Sequence, residues 1–381
     1  MNGNSVGTMD FTEMLHKVEF LKKKANVSTT NCWFDRKING LSKDGKQRLR
    51  ELEEEAQSHS SHADKKQIRY LQQLKDMKMI VPAFYRDIPT HKQLFNRIRG
   101  FCLENDIPED VAARLIPNFI DYIHTGHMKA ILLIGEAGCG KTTALKLLTE
   151  YVLQIPVEKI DVTLASRGHG LSGTNGSYQS ATCGLLAQAM LRNNNLLNAF
   201  IFDEIDKCMG SSNHACLDEE LLPLTDKSGG RIYDHYLENT MSSLQYCPIF
   251  FTGNNLEKIN PILADRLEII HFPSADVQRI TSIIHKYADK RIRERGYHSY
   301  IHLDYCLLDQ YIRDLVDKYH IRSLRKHEDM LDGALNKAFL EAMKLETDSV
   351  LPVSHDMFEA AEAEIISAST NKALQKKIGF A

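Results

Sequence analysis

The sequence predicts an α/β protein: a three-layer αβα domain built on a parallel sheet, preceded by a helical amino-terminal arm and followed by a small α-helical domain. Three observations predict it. From about residue 129, short apolar runs alternate with helical stretches, the pattern of parallel strands joined by crossover helices. One of those runs, AILLI, feeds directly into the glycine-rich loop GEAGCGKT. Another, NAFIF, ends in the acidic pair Asp203 and Glu204.

The candidate strands are Ala130–Ile134, Lys159–Thr163, Ala199–Phe202, Pro248–Thr252 and Leu267–His271. Beyond Pro273 no further strand is evident, and the segments near 275–295, 304–318, 322–345 and 354–368 read as helices. Before the sheet, Leu49 and Leu52 share a register within 41–56. Ile68, Leu71, Leu74 and Met77 follow the cap candidate Asp64, and Leu94, Phe95, Ile98, Phe101 and Cys102 follow the cap candidate Thr90. These early helices are read as docking on the main domain, with the first 30 or so residues a mobile or loosely docked arm. The expected division is an arm at 1–90, the sheet domain at 91–273, the helical domain at 274–370 and a tail at 371–381.

Composition sets outer limits. The chain has 381 residues, 43% of them hydrophobic, enough to bury a full core. Its 47 basic and 50 acidic side chains leave a net charge of -3, so no global field draws it to nucleic acid or an anionic membrane. No apolar run approaches the length of a bilayer span, and the start MNGNSVGTMD lacks the order of a signal peptide. A cytoplasmic protein with no membrane partner is expected, its eight cysteines reduced. Cys208, His214 and Cys216 offer only three zinc ligands, without the paired spacing of a structural site.

The loop Gly135 to Thr142 carries the sharpest chemistry. Glycines at 135, 138 and 140 let backbone N–H groups and the next helix's N-terminus approach a phosphate chain closely. Lys141 supplies fixed positive charge for the β- and γ-phosphates, and the Thr142 hydroxyl suits Mg2+. The expected ATP-binding set is Gly135, Glu136, Ala137, Gly138, Cys139, Gly140, Lys141, Thr142, Thr143 and Asp203, with Thr142 and Asp203 on the Mg2+ side. In open α/β sheets ligands gather at the carboxyl ends of the strands, where Asp203 and Glu204 fall. Asp203 is placed to hold the metal, and Glu204 to orient and deprotonate the attacking water. Asp206 reads as a helix cap or surface charge. Asn254, after PIFFTG, is either a water-positioning amide or simply part of a turn.

With these elements in order, the chain resembles an AAA+ P-loop ATPase, and the wording NAFIFDEIDK, RIYDHYLEN, IFFTGNN and NPILADRLEIIHF resembles the ATPase module of the Lon protease family. The similarity extends over roughly residues 85–345 and is dense in 130–275. The resemblance implies Asn254 as the amide at the strand end, Arg266 as an arginine finger acting on a neighbouring subunit, and Arg322 as the lid arginine. It further implies a homo-oligomeric ring or spiral of six subunits, and a protein substrate or effector. A finger of this kind contributes about 10³ to 10⁵ in rate elsewhere. The plainer readings are a salt bridge from Arg266 to Asp265 or Glu268, and Arg325 in place of Arg322. In LSGTNGSYQSATCG, Tyr178 falls at the aromatic position of the Lon pore loop, or is a local packing residue.

The Lon peptidase has no counterpart before Ala381, so intrinsic proteolysis is not expected. The function expected is ATP-driven remodelling of a protein, alone or with a separate protease. The alternatives are a nucleic-acid-associated ATPase, for which Lys22–Lys24, Arg86, Lys92, Arg97 and Arg99 are the support, and a slow nucleotide-dependent scaffold.

Overall fold

The computed structural model describes residues 40–57, 65–82, 85, 89–165, 170–174, 181–207, 220–226, 234–237, 244–345 and 350–378. Two helices come first, α1 (Lys43–Gln57) and α2 (Lys65–Asp76), then α3 (His91–Glu104) and α4 (Glu109–Thr125). The sheet domain continues with β1 (Ile131–Ile134), α5 (Lys141–Leu148), β2 (Val157–Asp161), α6 (Leu185–Asn193), β3 (Ala199–Asp203), β4 (Ile249–Gly253), α7 (Pro261–Arg266) and β5 (Glu268–His271). All five strands are parallel, in the order β2-β3-β4-β1-β5.

Alternation along the strands sends side chains to two separate cores, as the period of two requires. Leu132, Ile134, Phe200, Phe202 and Phe251 face one side, where Leu49 and Leu52 of α1, Leu71 and Leu74 of α2, and Leu186 and Met190 of α6 cover them. Ile131, Leu133, Ala199, Ile201, Phe250 and Ile270 face the other, under α3, α4 and α5. This is the three-layer αβα architecture. The two early helices therefore dock on the sheet domain and complete one of its layers, although the sequence division set them apart as an arm. Residues 1–39 and Asp64 lie outside the described residues.

Thr90 caps α3 through a capping box, accepting from the Gln93 N–H while the Gln93 side chain accepts from the Thr90 N–H. Helix α4 is absent from the sequence expectation, because Pro117 interrupts its pattern. Packing overrides that break: Val111, Leu115, Ile116, Phe119, Tyr122 and Ile123 are all buried.

The carboxyl-terminal part has its own core. Helices α8 (Val277–Glu294), α9 (Tyr305–Asp317), α10 (Leu324–Ala342) and α11 (His355–Ile378) pack around Ile280, Ile284, Leu308, Ile312, Leu331, Leu335 and Phe358. The expectation of no strand beyond Pro273 is corrected by a short parallel pair, β6 (Ile301–His302) with β7 (Leu351–Pro352). Two-residue strands leave no periodic signal in a sequence.

Candidate functional site

Strand β1, fully buried, delivers the chain to the loop at Gly135, and α5 leaves the loop at Lys141. Gly138 and Gly140 adopt φ of 78° and 101°, conformations that side chains other than glycine strain to reach. Lys141 is a buried residue, only 7% exposed. It donates to the carbonyls of Gly135 and Glu136, both at 2.8 Å, and to Asn254 Oδ1 at 3.0 Å. A buried ammonium needs such acceptors. The loop thus holds a positive charge at the mouth of a helix N-terminus, an arrangement suited to a polyanion.

Asp203, at the tip of β3, is the hub of the acidic half. Its Oδ1 accepts from the Thr142 hydroxyl at 2.7 Å and from the Thr252 hydroxyl, and its Oδ2 pairs with Lys159 Nζ at 2.6 Å. Burial raises its pKa, but the hydrogen bonds from Lys159, Thr252 and Thr142 outweigh it and hold the carboxyl below its ordinary value. The carboxylate is therefore charged at neutral pH. A hydroxyl and an ionised carboxylate in direct contact form a hard-oxygen donor set, which fits Mg2+. Among the described residues no group of three or more His, Cys, Asp or Glu side chains could hold a metal by itself.

Glu204 follows in a left-handed conformation, φ 60°, which costs about 1–3 kcal/mol for a residue of this type. The turn is held by the Thr252 hydroxyl, which accepts the Glu204 N–H at 3.2 Å, and by the Glu204 carbonyl, which accepts the Lys207 N–H at 3.0 Å. The Glu204 carboxylate pairs with the Lys207 ammonium. Asp206 is not a surface charge: it is buried, and its Oδ1 accepts the Asn254 N–H at 3.0 Å, fixing the end of β4. Asn254 is thus tied at its backbone to the acidic strand and at its side chain to Lys141. Asn255 does the turn chemistry instead, capping residues 256–258 through an acceptor bond from the Glu257 N–H.

The helical domain reaches the loop directly. Leu324 N–H donates to the Gly138 carbonyl at 3.0 Å, and Arg279 Nη2 donates to the Cys139 carbonyl at 3.2 Å. The Arg279 Nε donates to the Asp106 carbonyl at 2.7 Å, and its guanidinium lies over the Phe272 ring at 5.0 Å. Burial lowers the Arg279 pKa without removing the charge.

Gly135 through Thr143, Asp203, Glu204 and Asn254 thus fall in one neighbourhood. Arg266 does not join them within the chain. It ends α7 and bonds Asp226 at 2.7 Å and the Leu222 carbonyl at 3.1 Å, not Asp265 or Glu268. Arg322 is exposed, one residue before Ser323, whose side chain abuts Gly138. Tyr178 and the Cys208, His214 and Cys216 group lie outside the described residues. Sequence reading missed Lys159, Thr252, Arg279 and the buried role of Asp206. Only Thr252 carried a signal, as a polar residue inside the apolar run PIFFTG.

Residues 131–274 match the model of a family described as "ATPase family associated with various cellular activities (AAA)". Peroxisomal Lon protease homolog 2 of Caenorhabditis elegans is 24% identical over 277 residues, covering 70% of this chain and 35% of that protein. Lon protease 1 of Bacillus subtilis (strain 168) is 28% identical over 216 residues, covering 55% of this chain and 26% of that protein. The matched stretch is about a third or less of these relatives' length. Among solved structures, the extended S. cerevisiae Hsp104:casein complex superposes with a TM-score of 0.55 at 17% identity, over 81% of this chain and 57% of that one. At that identity the likeness is one of fold. No described helix is long and apolar enough to cross a membrane.

Proposed function

We propose that this chain, which carries an AAA-family ATPase domain similar to the ATPase module of Lon proteases, binds ATP with Mg2+, hydrolyses it, and works in an oligomer that remodels a protein partner. One observation carries the reading. The hydroxyl of the loop's Thr142 bonds the acid that ends β3, while the loop's Lys141 bonds the amide that follows β4. Two halves of a phosphoryl-transfer site therefore meet at the carboxyl ends of β1, β3 and β4, where α/β sheets bind nucleotides.

In this reading Lys141 exchanges its carbonyl acceptors for phosphate oxygens, with Asn254 keeping it aimed. Thr142 and Asp203 would hold the metal, which would supply neutralisation of phosphate charge there. Glu204 accepts a hydrogen bond from the attacking water and takes its proton, and Asn254 lies close enough to Lys141 to orient the same water. Arg266 and Arg322 are assigned to the transition-state charge, Arg266 across an interface with a second copy. Its hydrogen bonds to Asp226 and Leu222 set the direction it points from α7. A hexameric assembly, a protein substrate and the Tyr178 grip are carried by the resemblance alone. Of the basic residues behind the nucleic-acid reading, Arg97 bonds the Tyr151 hydroxyl, Arg99 makes an exposed pair with Glu109, Lys92 is exposed, and Lys22–Lys24 and Arg86 lie outside the described residues.

Steady-state ATP hydrolysis, alone and with unfolded protein or DNA, tests the proposal beside Lys141→Ala and Glu204→Gln. Turnover lost in both variants and stimulated by unfolded polypeptide is the expected result. Stimulation by DNA alone moves the function to the nucleic-acid class. Absence of both ATP binding and hydrolysis in the wild-type chain overturns the reading.

A further inference from the structure

Lys159 is the side chain for which the site as described so far has no use. It lies on β2, the edge strand, beside β3, with Asp161 level with Asp203 in the pairing register. Its stem runs toward the strand tip and places Nζ 2.6 Å from Asp203 Oδ2, with the lysine side chain 54% exposed and the aspartate 14%. The other carboxylate oxygen is already engaged twice, by Thr142 and by Thr252. Both oxygens of the metal-side carboxylate therefore have a donor, and Oδ2 has a full positive charge.

We propose that Lys159 is an internal cation that competes with Mg2+ for Asp203, and so sets the Mg2+ concentration at which the site loads. The inference rests on Asp203 being the metal-side acid. Two like charges cannot share one carboxylate without mutual repulsion, and the one on a flexible, half-exposed stem is the one that can leave. Thr142 and Thr252 are different in kind: both are neutral donors on Oδ1, and they remain when the metal arrives. The tethered ammonium on the edge strand neutralises the acid while no metal is present, and each loading event displaces it. An exposed lysine does this at small cost to stability, since a pair with one exposed partner is worth about 1 kcal/mol or less.

The test is a Mg2+ titration of the binding of a fluorescent ATP analogue, read by anisotropy on the full-length chain, so that no turnover is required. Lys159→Ala and Lys159→Gln should lower the half-saturating Mg2+ concentration about threefold to fivefold, the upper end of what an ion pair of this exposure contributes. Lys159→Arg, which keeps the charge, should stay near wild type. Affinity for the analogue in excess EDTA should be unchanged in all three, because Lys159 has no bond to the phosphate loop. An unchanged or raised half-saturating concentration in both Lys159→Ala and Lys159→Gln overturns the proposal, the second outcome making Lys159 a support for the metal. Asp203→Asn separates the two levels of the argument. If it abolishes the Mg2+ dependence while Lys159→Ala does not shift it, only the competition fails; if it leaves the Mg2+ dependence intact, the assignment of Asp203 fails, and the competition with it.

Discussion

Thr252→Val isolates one hydroxyl that the structure makes responsible for both acids of the site. The two side chains have nearly the same shape, so no cavity opens at a residue that is 1% exposed. What is lost is the donor to Asp203 Oδ1 and the acceptor for the Glu204 N–H. Leaving a buried N–H without a partner costs about 1–3 kcal/mol, and a hydrogen bond to an ionised group contributes about 1.5–3 kcal/mol. Asp203 keeps Thr142 and Lys159, so part of the second loss is recovered, and the sum falls near 2–4 kcal/mol. For a domain of this size that lowers Tm by about 4–16 °C.

The effect on chemistry is separable from the effect on stability. Glu204 occupies its left-handed conformation because the surrounding bonds hold it there. Without the Thr252 acceptor the turn relaxes, and a displacement of about 1 Å at the carboxylate costs roughly 100-fold in turnover. Thr252→Ser keeps the hydroxyl and loses a methyl group, so it should give up about 1 kcal/mol of stability and little activity. Thermal unfolding and steady-state ATP hydrolysis of the three proteins, the second at a temperature where all are folded, decide the matter. A Val variant with lowered Tm and wild-type turnover refutes the positioning of Glu204; one unchanged in both refutes the whole account of this hydroxyl.

Three other perturbations follow from the same geometry. Gly138→Ala brings a Cβ within 2.2 Å of the Ser323 Oγ and forces an alanine to φ 78°, so nucleotide affinity should fall about tenfold or more, while the backbone strain removes roughly 1–2 kcal/mol of stability. Adding Ser323→Gly should recover part of the binding and none of the strain, and no recovery would mean that the lid contact is immaterial. Lys207→Gln releases the Glu204 carboxylate from its cation at an exposed pair, so turnover should rise a few-fold with the unfolding free energy changed by less than about 1 kcal/mol; a fall in turnover would make Lys207 the residue that aims Glu204. His327 is fully buried, donates from Nε2 to the Ile321 carbonyl at 3.0 Å, and titrates at about 4 because burial opposes its charged form. Its folded pKa lies below the unfolded value near 6.5, so the unfolded state binds the extra proton first as pH falls. Its contribution is present in full above pH 6.5 and is lost progressively toward pH 4, by about 3 kcal/mol. His327→Gln should flatten that limb in unfolding midpoints measured from pH 7 to pH 4, and an unchanged limb would clear His327.

The strands and the phosphate loop were legible in the sequence because each rests on local chemistry. The apolar run before Gly135 is short and leads straight into a glycine-rich loop, which favours a strand, and the three glycines before Lys141 favour a loop that approaches something closely. The capping box at Thr90 and Gln93 is likewise local. Helix α4 was not read from the sequence; Pro117 in its interior weakens the local signal, and burial along one face outweighs it. Lys159 and Arg279 were invisible for a different reason: their partners lie 44 and 140 positions away in the chain, at Asp203 and Cys139, and no spacing rule links an edge-strand lysine or a lid arginine to them. Asp206 was misread because a third carboxylate after an acidic pair resembles a solvated turn. Its burial follows from β4 lying beside β3, a fact of topology.

The contacts between the helical domain and the loop bear on how the proposed nucleotide chemistry would act on the rest of the chain. Helix α10 begins on the Gly138 carbonyl, and α8 grips the Cys139 carbonyl through Arg279. The same α8 is tied to the α3–α4 connection, by Arg279 on the Asp106 carbonyl and by Lys286 on Asp106 Oδ2 at 2.5 Å. The loop carbonyls that accept these bonds belong to the backbone segment that a phosphate chain would engage from its N–H side. Any rotation of the Gly138 or Cys139 peptide planes on binding or release therefore acts on both lid helices at once, with no intervening element. The lid core around Ile280, Leu308, Leu331 and Phe358 is separate from the two sheet cores, so the lid can respond as a unit. In the proposed ATPase no long relay is needed between the phosphate loop and the helical domain, because one peptide segment contacts both.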